Sequence, residues 1–511
     1  MHRIASFLLL ASAAWCADAI YVNGTVITVD PSKPYAEAFA VTNGRFSAVG
    51  SNAEIRKLAS PGTKVVDLKG MTVTPGFNDV HLHPTGIYDE SSPYYTPWLG
   101  PEKVHNMDEL IAALKAKADK TPKGQLVSGT RYQDTKLGRH PTRYDLDKAS
   151  TEHPISISHS SGHIIVVNSY ILNASGITKE TKDPPGGSFD RDPDGTPNGV
   201  IREAARGLLR RGGAGGGESR RIPWEAELEG HVRCFRIYAE RGITSAGIAG
   251  GSPESFRLYE AVRDAGGPVR MGFMYSQGSF SALQAIGLKS GFGDDRLRMT
   301  SIKVFHGNSM SGRTCWLSEE YSDQPGYFGI PPARSQEALD KAFAEMHKAG
   351  FQIATHSNGD REIDMVLTAI DMGIHVAGHS DSTVSAADPL LRIQDMVTRK
   401  GENGVGYGIN QRIGVEEAIK VWTLDGAYAT FEEQNKGSIA TGKLADFAVL
   451  RKDPRKVPPD HIKDIVVDAT YVGGKNVWQA PANAVAMIHH LIPGIDFGDG
   501  DEDENLQHDQ Q

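Results

Sequence analysis

Apolar and polar residues alternate in short runs at 20–29, 36–49 and 64–73, broken by Asn23-Gly24, Asn43-Gly44 and Lys69-Gly70. Alternation with a period of two marks strands buried on one face, and Asn-Gly or X-Gly between such runs marks a hairpin turn. The same pattern returns at 437–450, 465–467 and 469–477, with Gly473-Gly474 as its turn. The two chain ends are therefore expected to pair into one small β-sandwich, 20–73 with 435–480. The alternative is two separate hairpin caps. Between them the period changes. Leu110, Ile111 and Leu114 recur at helical spacing within 107–120, and 224–241, 253–265, 335–349 and 361–371 read as further helices. Short strand-like runs stand between and before them, at 154–158, 164–167, 243–249, 269–275, 299–305 and 351–355. Strand and helix in alternation predict a parallel α/β architecture over 74–434, most economically a (β/α)8 barrel.

Composition narrows the partners. The chain has 511 residues, enough for a large barrel with a small domain, and its 39% hydrophobic and 23% charged content suits a soluble globular protein. A net charge of −9 argues against nucleic acid, since phosphate binding needs a basic face. Met1-His2-Arg3 followed by Ile4-Ala5-Ser6-Phe7-Leu8-Leu9-Leu10-Ala11 has the basic start and apolar core of a secretory signal. Residues 1–19 are expected to be that signal peptide, with cleavage at Ala17-Asp18-Ala19 and a secreted, extracellular product. No other apolar run approaches the ~20 residues that span a bilayer, so no membrane span is expected. With Cys16 leaving at the leader, Cys234 and Cys315 are too few for a disulfide framework. Asn23-Gly24-Thr25 and Asn173-Ala174-Ser175 are glycosylation sequons. The acidic stretch 498–511 reads as a disordered tail. A small molecule is the expected partner, and a homo-oligomer is compatible with all of this.

The chemistry starts at Thr74-Pro75-Gly76-Phe77-Asn78-Asp79-Val80-His81-Leu82-His83. Side chains on a strand alternate faces, so His81 and His83 point one way and Leu82 the other. Two imidazoles at one strand end form half of a site for zinc or a neighbouring transition metal. Later strands supply more. Lys303 stands within the apolar run Ser301-Ile302-Lys303-Val304-Phe305, where a lysine is costly to bury unless modified or paired. His356 ends Gln352-Ile353-Ala354-Thr355-His356, and Asp381 ends Val376-Ala377-Gly378-His379-Ser380-Asp381. Singly, each has a plainer use: a snorkelling lysine, a hydrogen-bonded core histidine, a helix cap. The constellation carries the signal, because a barrel collects its reacting groups at the C-terminal ends of its strands.

These stretches also resemble a family. The opening motif resembles the metal-binding start of the amidohydrolase superfamily. Three others narrow the resemblance to its amidohydrolase-3 branch, which includes formamide-deformylase-like proteins: Ile302-Lys303-Val304-Phe305-His306-Gly307-Asn308-Ser309-Met310-Ser311-Gly312-Arg313-Thr314, His356-Ser357-Asn358-Gly359-Asp360, and Gly437-Ser438-Ile439 with Gly442-Lys443-Leu444-Ala445-Asp446-Phe447. The resemblance runs from about residue 20 to 477. It implies a (β/α)8 barrel with a β-sandwich built from both chain ends, and hydrolysis of non-peptide C–N bonds, amide or formamide. By position it implies a divalent metal, zinc above others, as one or two ions. His81 and His83 would hold the first, a carboxylated Lys303 would bridge, and His356 would hold the second. Asp381 would join the metal site and act as general base and acid. His163 in Ser161-Gly162-His163, Glu203 in Gly199-Val200-Ile201-Arg202-Glu203, and Arg313 match stretches near the site and are candidate substrate contacts.

One feature departs from the family pattern. A further histidine ligand belongs at the end of a sixth strand, yet only 25 positions separate His356 from Asp381. If these residues end strands five and eight, three β/α units of ~30 residues must fit there, on the ~250 residues of a whole barrel. A block of roughly 65 residues, about two β/α units at this scale, is therefore expected to be missing between Ile370 and Asp371. His375 lies at the far end of the eighth strand and His379 one step deeper than Asp381, so neither replaces it. Two further readings stand beside an active amidohydrolase: an impaired or inactive form that at most binds a ligand, and an ester or lactone hydrolase on the same site.

Overall fold

Asn43 and Gly44 both take left-handed backbone angles (φ 50° and 74°), as do Gly473 and Gly474 (57° and 72°), so the turns expected from Asn-Gly and Gly-Gly do close hairpins. The computed structural model describes residues 17–209, 222–368 and 377–484, apart from 102, 323, 383–384 and 402–403. Most of the expected leader, the acidic tail and the junction between Ile370 and Asp371 lie outside the described residues.

The chain ends build two facing sheets. One has four strands, with Ala19–Val22 paired to Ala38–Thr42 on one side and Lys64–Asp67 on the other. The other has six and mixes the ends: Thr72–Pro75 pairs antiparallel with Phe447–Leu450, which in turn pairs with Val467–Val472. Aromatic rings fill the space between them. Tyr21 stacks on Phe39 at 4.7 Å, Phe447 on Tyr471 at 4.4 Å, and Tyr21 meets Phe447 edge-on at 5.0 Å. Ala17 is already buried, and the Asp18 main chain bonds to Val41 and Lys64. The ordered layer thus begins inside the stretch assigned to the leader.

Phe77–Leu82 leaves this layer and opens a five-stranded parallel sheet. Its order is Phe77–Leu82, Ile243–Gly251, Arg270–Ser276, Leu297–Phe305, Ile353–His356, each paired to the next. Helices Trp224–Glu240, Pro253–Asp264 and Gln336–Lys348 connect them, and the first packs Phe235 and Tyr238 into a core shared with Phe77 and Ile243. Along the other side of Phe77–Leu82 run residues 378–382: Val80 N–H donates to Gly378 O at 3.4 Å and Asp381 N–H to His81 O at 3.0 Å. Among the described residues the sheet is a curled part of a barrel, not eight closed strands. Ile353–His356 is half-buried at every position, whereas Leu297–Phe305 is buried almost throughout, as suits an edge strand beside a central one. A buried, two-pronged pair, Arg270 Nε to Asp446 at 2.6 Å and Nη2 at 2.9 Å, ties sheet and sandwich together.

Within the span expected to be barrel, a separate sheet appears. Val127–Tyr132, Ile155–His159, Ile164–Val167, Pro197–Glu203 and Gly187–Arg191 form five mixed strands between the first and second barrel strands. Its strand runs, alternating at 155–159 and continuously apolar at 164–167, are short and rich in β-branched residues just as barrel strands are. Period alone does not reveal which sheet a strand joins.

Candidate metal centre

His81 and His83 leave the end of their strand with ring centroids 5.2 Å apart. The neighbouring 378–382 segment brings Asp381 over them. Its Oδ1 lies 3.3 Å from His83 Nε2 and 3.5 Å from His81 Nε2, and ligand atoms of all three residues fall within 4.8 Å of one another. Asp381 holds φ +52°, a left-handed angle that a non-glycine residue adopts at a cost and that recurs at functional sites. Lys303, only 2% exposed near the end of its strand, sets Nζ 3.1 and 3.3 Å from the two ring nitrogens of His81.

The protonation states suit a cation. Burial first, then the Lys303 charge, pushes the His81 imidazole down to about 2, so at neutral pH its lone pair is available. Burial alone would raise the Asp381 carboxyl, but the contact with His83 and the proximity of His81 and His379 outweigh it and hold it at about 2. Burial lowers the Lys303 amine to about 8 against the opposing pull of Asp381. A neutral imidazole, an ionised carboxylate and a partly neutral lysine converge on one point. Asp381 Oδ1 is buried there with ring nitrogens of His83 and His81 as its near neighbours, at 3.3 and 3.5 Å, an arrangement that fits a metal ligand set.

His356 arrives from the edge strand. Its Nε2–H donates to the Asn308 carbonyl at 3.1 Å, which leaves Nδ1 as the lone-pair nitrogen. Metal-binding histidines are commonly held by such a backbone acceptor. Burial and then His163 lower its imidazole to about 4, so it too is neutral. The His163 ring stacks on His356 at 5.1 Å, and its Nδ1 bonds Glu203 Oε2 at 2.8 Å. Glu203 sits at φ +49°, and its other oxygen accepts from Thr314 Oγ1. His81, His83, His163, Glu203, His356 and Asp381 line one cavity of about 550 Å³. A larger one, about 750 Å³, lies by the 90–98 loop and helix Met107–Ala118 and holds none of these groups. Chemistry, not size, marks the site.

Arg313 is placed elsewhere. Its guanidinium pairs with Asp134 at 3.2 Å and faces a neighbouring hollow with His159, Met310 and Tyr321, outside the set lining the metal cleft. The Asp134 carboxylate, which His159 and His140 also approach, attracts it. Other residues near the site had drawn no role. Asp79, 1% exposed, is raised to about 7 by burial, and its Oδ1 accepts from Ser380 N–H at 3.1 Å, joining the two ligand-bearing segments. His306 lines the cleft with both ring nitrogens buried and unbonded. The His379 ring stacks flat on His81 at 5.1 Å. Glu362, wholly buried, bonds four main-chain N–H groups. Such roles depend on which loops meet, and no local pattern announces them.

A profile of the Amidohydrolase family matches residues 64–372 and 366–478. The chain belongs to that family. This amidohydrolase is similar to an N-substituted formamide deformylase of Arthrobacter pascens, 25% identical over 540 aligned positions that cover 89% of this chain and 97% of the relative. It is also similar to Protein LONG AFTER FAR-RED 3 of Arabidopsis thaliana, 25% identical over 563 positions covering 92% and 93%. Both alignments are longer than this 511-residue chain, so each relative carries stretches that the amidohydrolase lacks. Among solved structures, an uncharacterized metal-dependent hydrolase from Pyrococcus horikoshii OT3 shares the fold, with TM-score 0.65, 21% identity, and 87% of this chain and 99% of that one covered. A second from Pyrococcus furiosus gives 0.62, 22%, 86% and 100%.

Proposed function

We propose that this amidohydrolase uses a divalent metal, zinc by its ligand types, to hydrolyse a non-peptide C–N bond of an amide or formamide. The observation that carries the reading is the convergence of His81, His83 and Asp381 within 4.8 Å, with Lys303 beside them. A metal held there lowers the pKa of a coordinated water from about 15.7 toward ~7, which supplies a nucleophile at neutral pH. The protein's own part is positional. His81 and His83 hold the cation from one strand end. Asp381, ionised beside them, accepts a proton from the attacking water and returns it to the leaving nitrogen. The Lys303 amine, when neutral, can add carbon dioxide and release a proton; the resulting carbamate would offer anionic oxygens as metal ligands. His356, with Nδ1 unprotonated, would hold a second ion, and the His163–Glu203 pair beside it would contact substrate. The likeness to a formamide deformylase supports the bond class.

An impaired form is the second reading. The family profile matches in two stretches that overlap at 366–372, and among the described residues the sheet ends at the edge strand Ile353–His356. Both support a missing block between Ile370 and Asp371. Loss of the sixth-strand histidine would weaken the second ion first. Secretion through residues 1–19 belongs to the same proposal, and N-terminal sequencing of protein from the medium checks it.

The decisive experiment is a panel of amides, formamides, esters and lactones, assayed with added zinc and after chelation, on this chain and on a version with the block restored. Zinc-dependent release of amine or formate supports the reading. Activity that survives chelation, or that is confined to esters and lactones, overturns it.

A further inference from the structure

Glu362 opens the helix Asp360–Thr368 and is 0% exposed. A buried carboxylate needs compensation, and here main-chain N–H groups from three places provide it. Oε1 accepts from Asn308 at 3.2 Å and Trp316 at 2.9 Å, and Oε2 accepts from Asn358 at 3.3 Å and Gly359 at 2.8 Å. Asn308 and Trp316 belong to the loop after the lysine strand, while Asn358 and Gly359 follow directly on His356. One side chain thus clamps the two loops that leave the fourth and fifth strands.

The clamp reaches the site through Asn308. While its N–H bonds Glu362, its carbonyl accepts from His356 Nε2 at 3.1 Å and from Asn358 Nδ2 at 2.9 Å. The loops approach so closely that side chains are excluded. A Cβ on Gly307 would stand 2.5 Å from Glu362 Oε2 and 2.6 Å from Ser357 Cα, and one on Gly359 would stand 2.3 Å from the Trp316 carbonyl. The carbonyl that holds the His356 ring is therefore fixed from both sides, by the Asn308 N–H on Glu362 and by the next N–H, of Ser309, on Thr314 Oγ1 at 3.0 Å.

We infer that Glu362 is a positioning residue for His356, acting through the main chain of Asn308, whose N–H it holds and whose carbonyl takes the His356 Nε2 proton, so that Nδ1 stays turned to the cleft. The inference rests on His356 being a metal ligand only for its consequence, not for its geometry. Glu362→Gln keeps the shape but sets an amide NH2 against two N–H donors that lose their acceptor. In the metal-free full chain, carbethoxylation of individual histidines, read by mass spectrometry, should be several-fold faster at His356. It should be unchanged at His153, whose two nitrogens bond Ser150 and Thr121 far from the clamp. Affinity for the second, weaker zinc ion should fall about 10–100-fold, the usual effect of disturbing a ligand's support, while the first ion's is unchanged. If Glu362→Gln does not fold, Glu362→Asp, which keeps the charge on a shorter stem, carries the same two readings. A lowered Tm with an unchanged His356 rate would overturn the inference and leave Glu362 a purely structural knot. A faster His356 with unchanged zinc affinity would uphold the positioning and instead remove His356 from the ligand set.

Discussion

A lysine at 2% exposure beside a histidine ring needs a reason, and the carboxylation proposed above would supply one by turning a cation into an anion that metal ions accept. In a version with the missing block restored, Lys303→Ala should abolish hydrolysis. Acetate or propionate should restore part of it by filling the vacated space with a carboxylate, and full activity without added acid would remove Lys303 from the site. Asp381 makes the second test at this scale. Asp381→Asn keeps the shape and removes the proton acceptor, so zinc content should change little while kcat falls ~10²–10⁴-fold. Near-normal kcat would make Asp381 a cap for the following segment, a task Asn performs about as well. These two residues were legible because each breaks a local rule: a lysine in an apolar run, an aspartate closing one. Asp79 and Glu362 break none. Asp79 sits in an unbroken strand and Glu362 in an ordinary helix opening, and their importance comes from the segments packed on them.

At the level of elements, the turns and the parallel strand order were readable because Asn-Gly geometry and β/α alternation are local or nearly so. The inserted sheet was not. Arg131 shows why: the pairing of Ile155–His159 skips from Thr130 to Tyr132, leaving Arg131 as a bulge at φ +76°. A bulge interrupts the two-residue period by which Val127–Tyr132 would be recognised. The sheet leans on helix Arg143–Ala149, whose start is closed by Asp145, its Oδ2 accepting from Thr142 N–H at 2.9 Å and Thr142 Oγ1 at 3.0 Å. Asp145 also takes two bonds from Arg139, at 2.7 and 3.0 Å. Burial works to raise that carboxyl, yet the Arg139 and Thr142 bonds prevail and hold it at about 2. A depressed carboxyl stabilises the fold above its unfolded pKa of about 3.9, and that stabilisation is lost as pH falls through the folded value. Asp145→Asn should therefore destabilise the protein by about 1–2 kcal/mol at pH 7. The difference from wild type in thermal melts should narrow from about pH 4 downward. A constant difference across that range would mean the carboxylate's charge is not what acts.

At the scale of the molecule, the sandwich formed by the chain ends holds the first strand, the first strand carries two histidines, and the sheet it opens stops at His356. The 25 positions from His356 to Asp381 are what the proposed missing block rests on, and among the described residues the edge character of Ile353–His356 agrees with it. Restoring a block of two β/α units between Ile370 and Asp371 should bury that strand and complete the second ion's ligands. Amide exchange at residues 353–356 should then slow, and unchanged exchange would mean the edge is native. The central claim, however, is the metal centre itself. Elemental analysis of the full chain after zinc loading and removal of free ions tests it most directly. One tightly held equivalent, lost in the His81→Ala/His83→Ala double variant, is the expected result. Two tight equivalents in this chain, or one that survives the loss of both histidines, would contradict it.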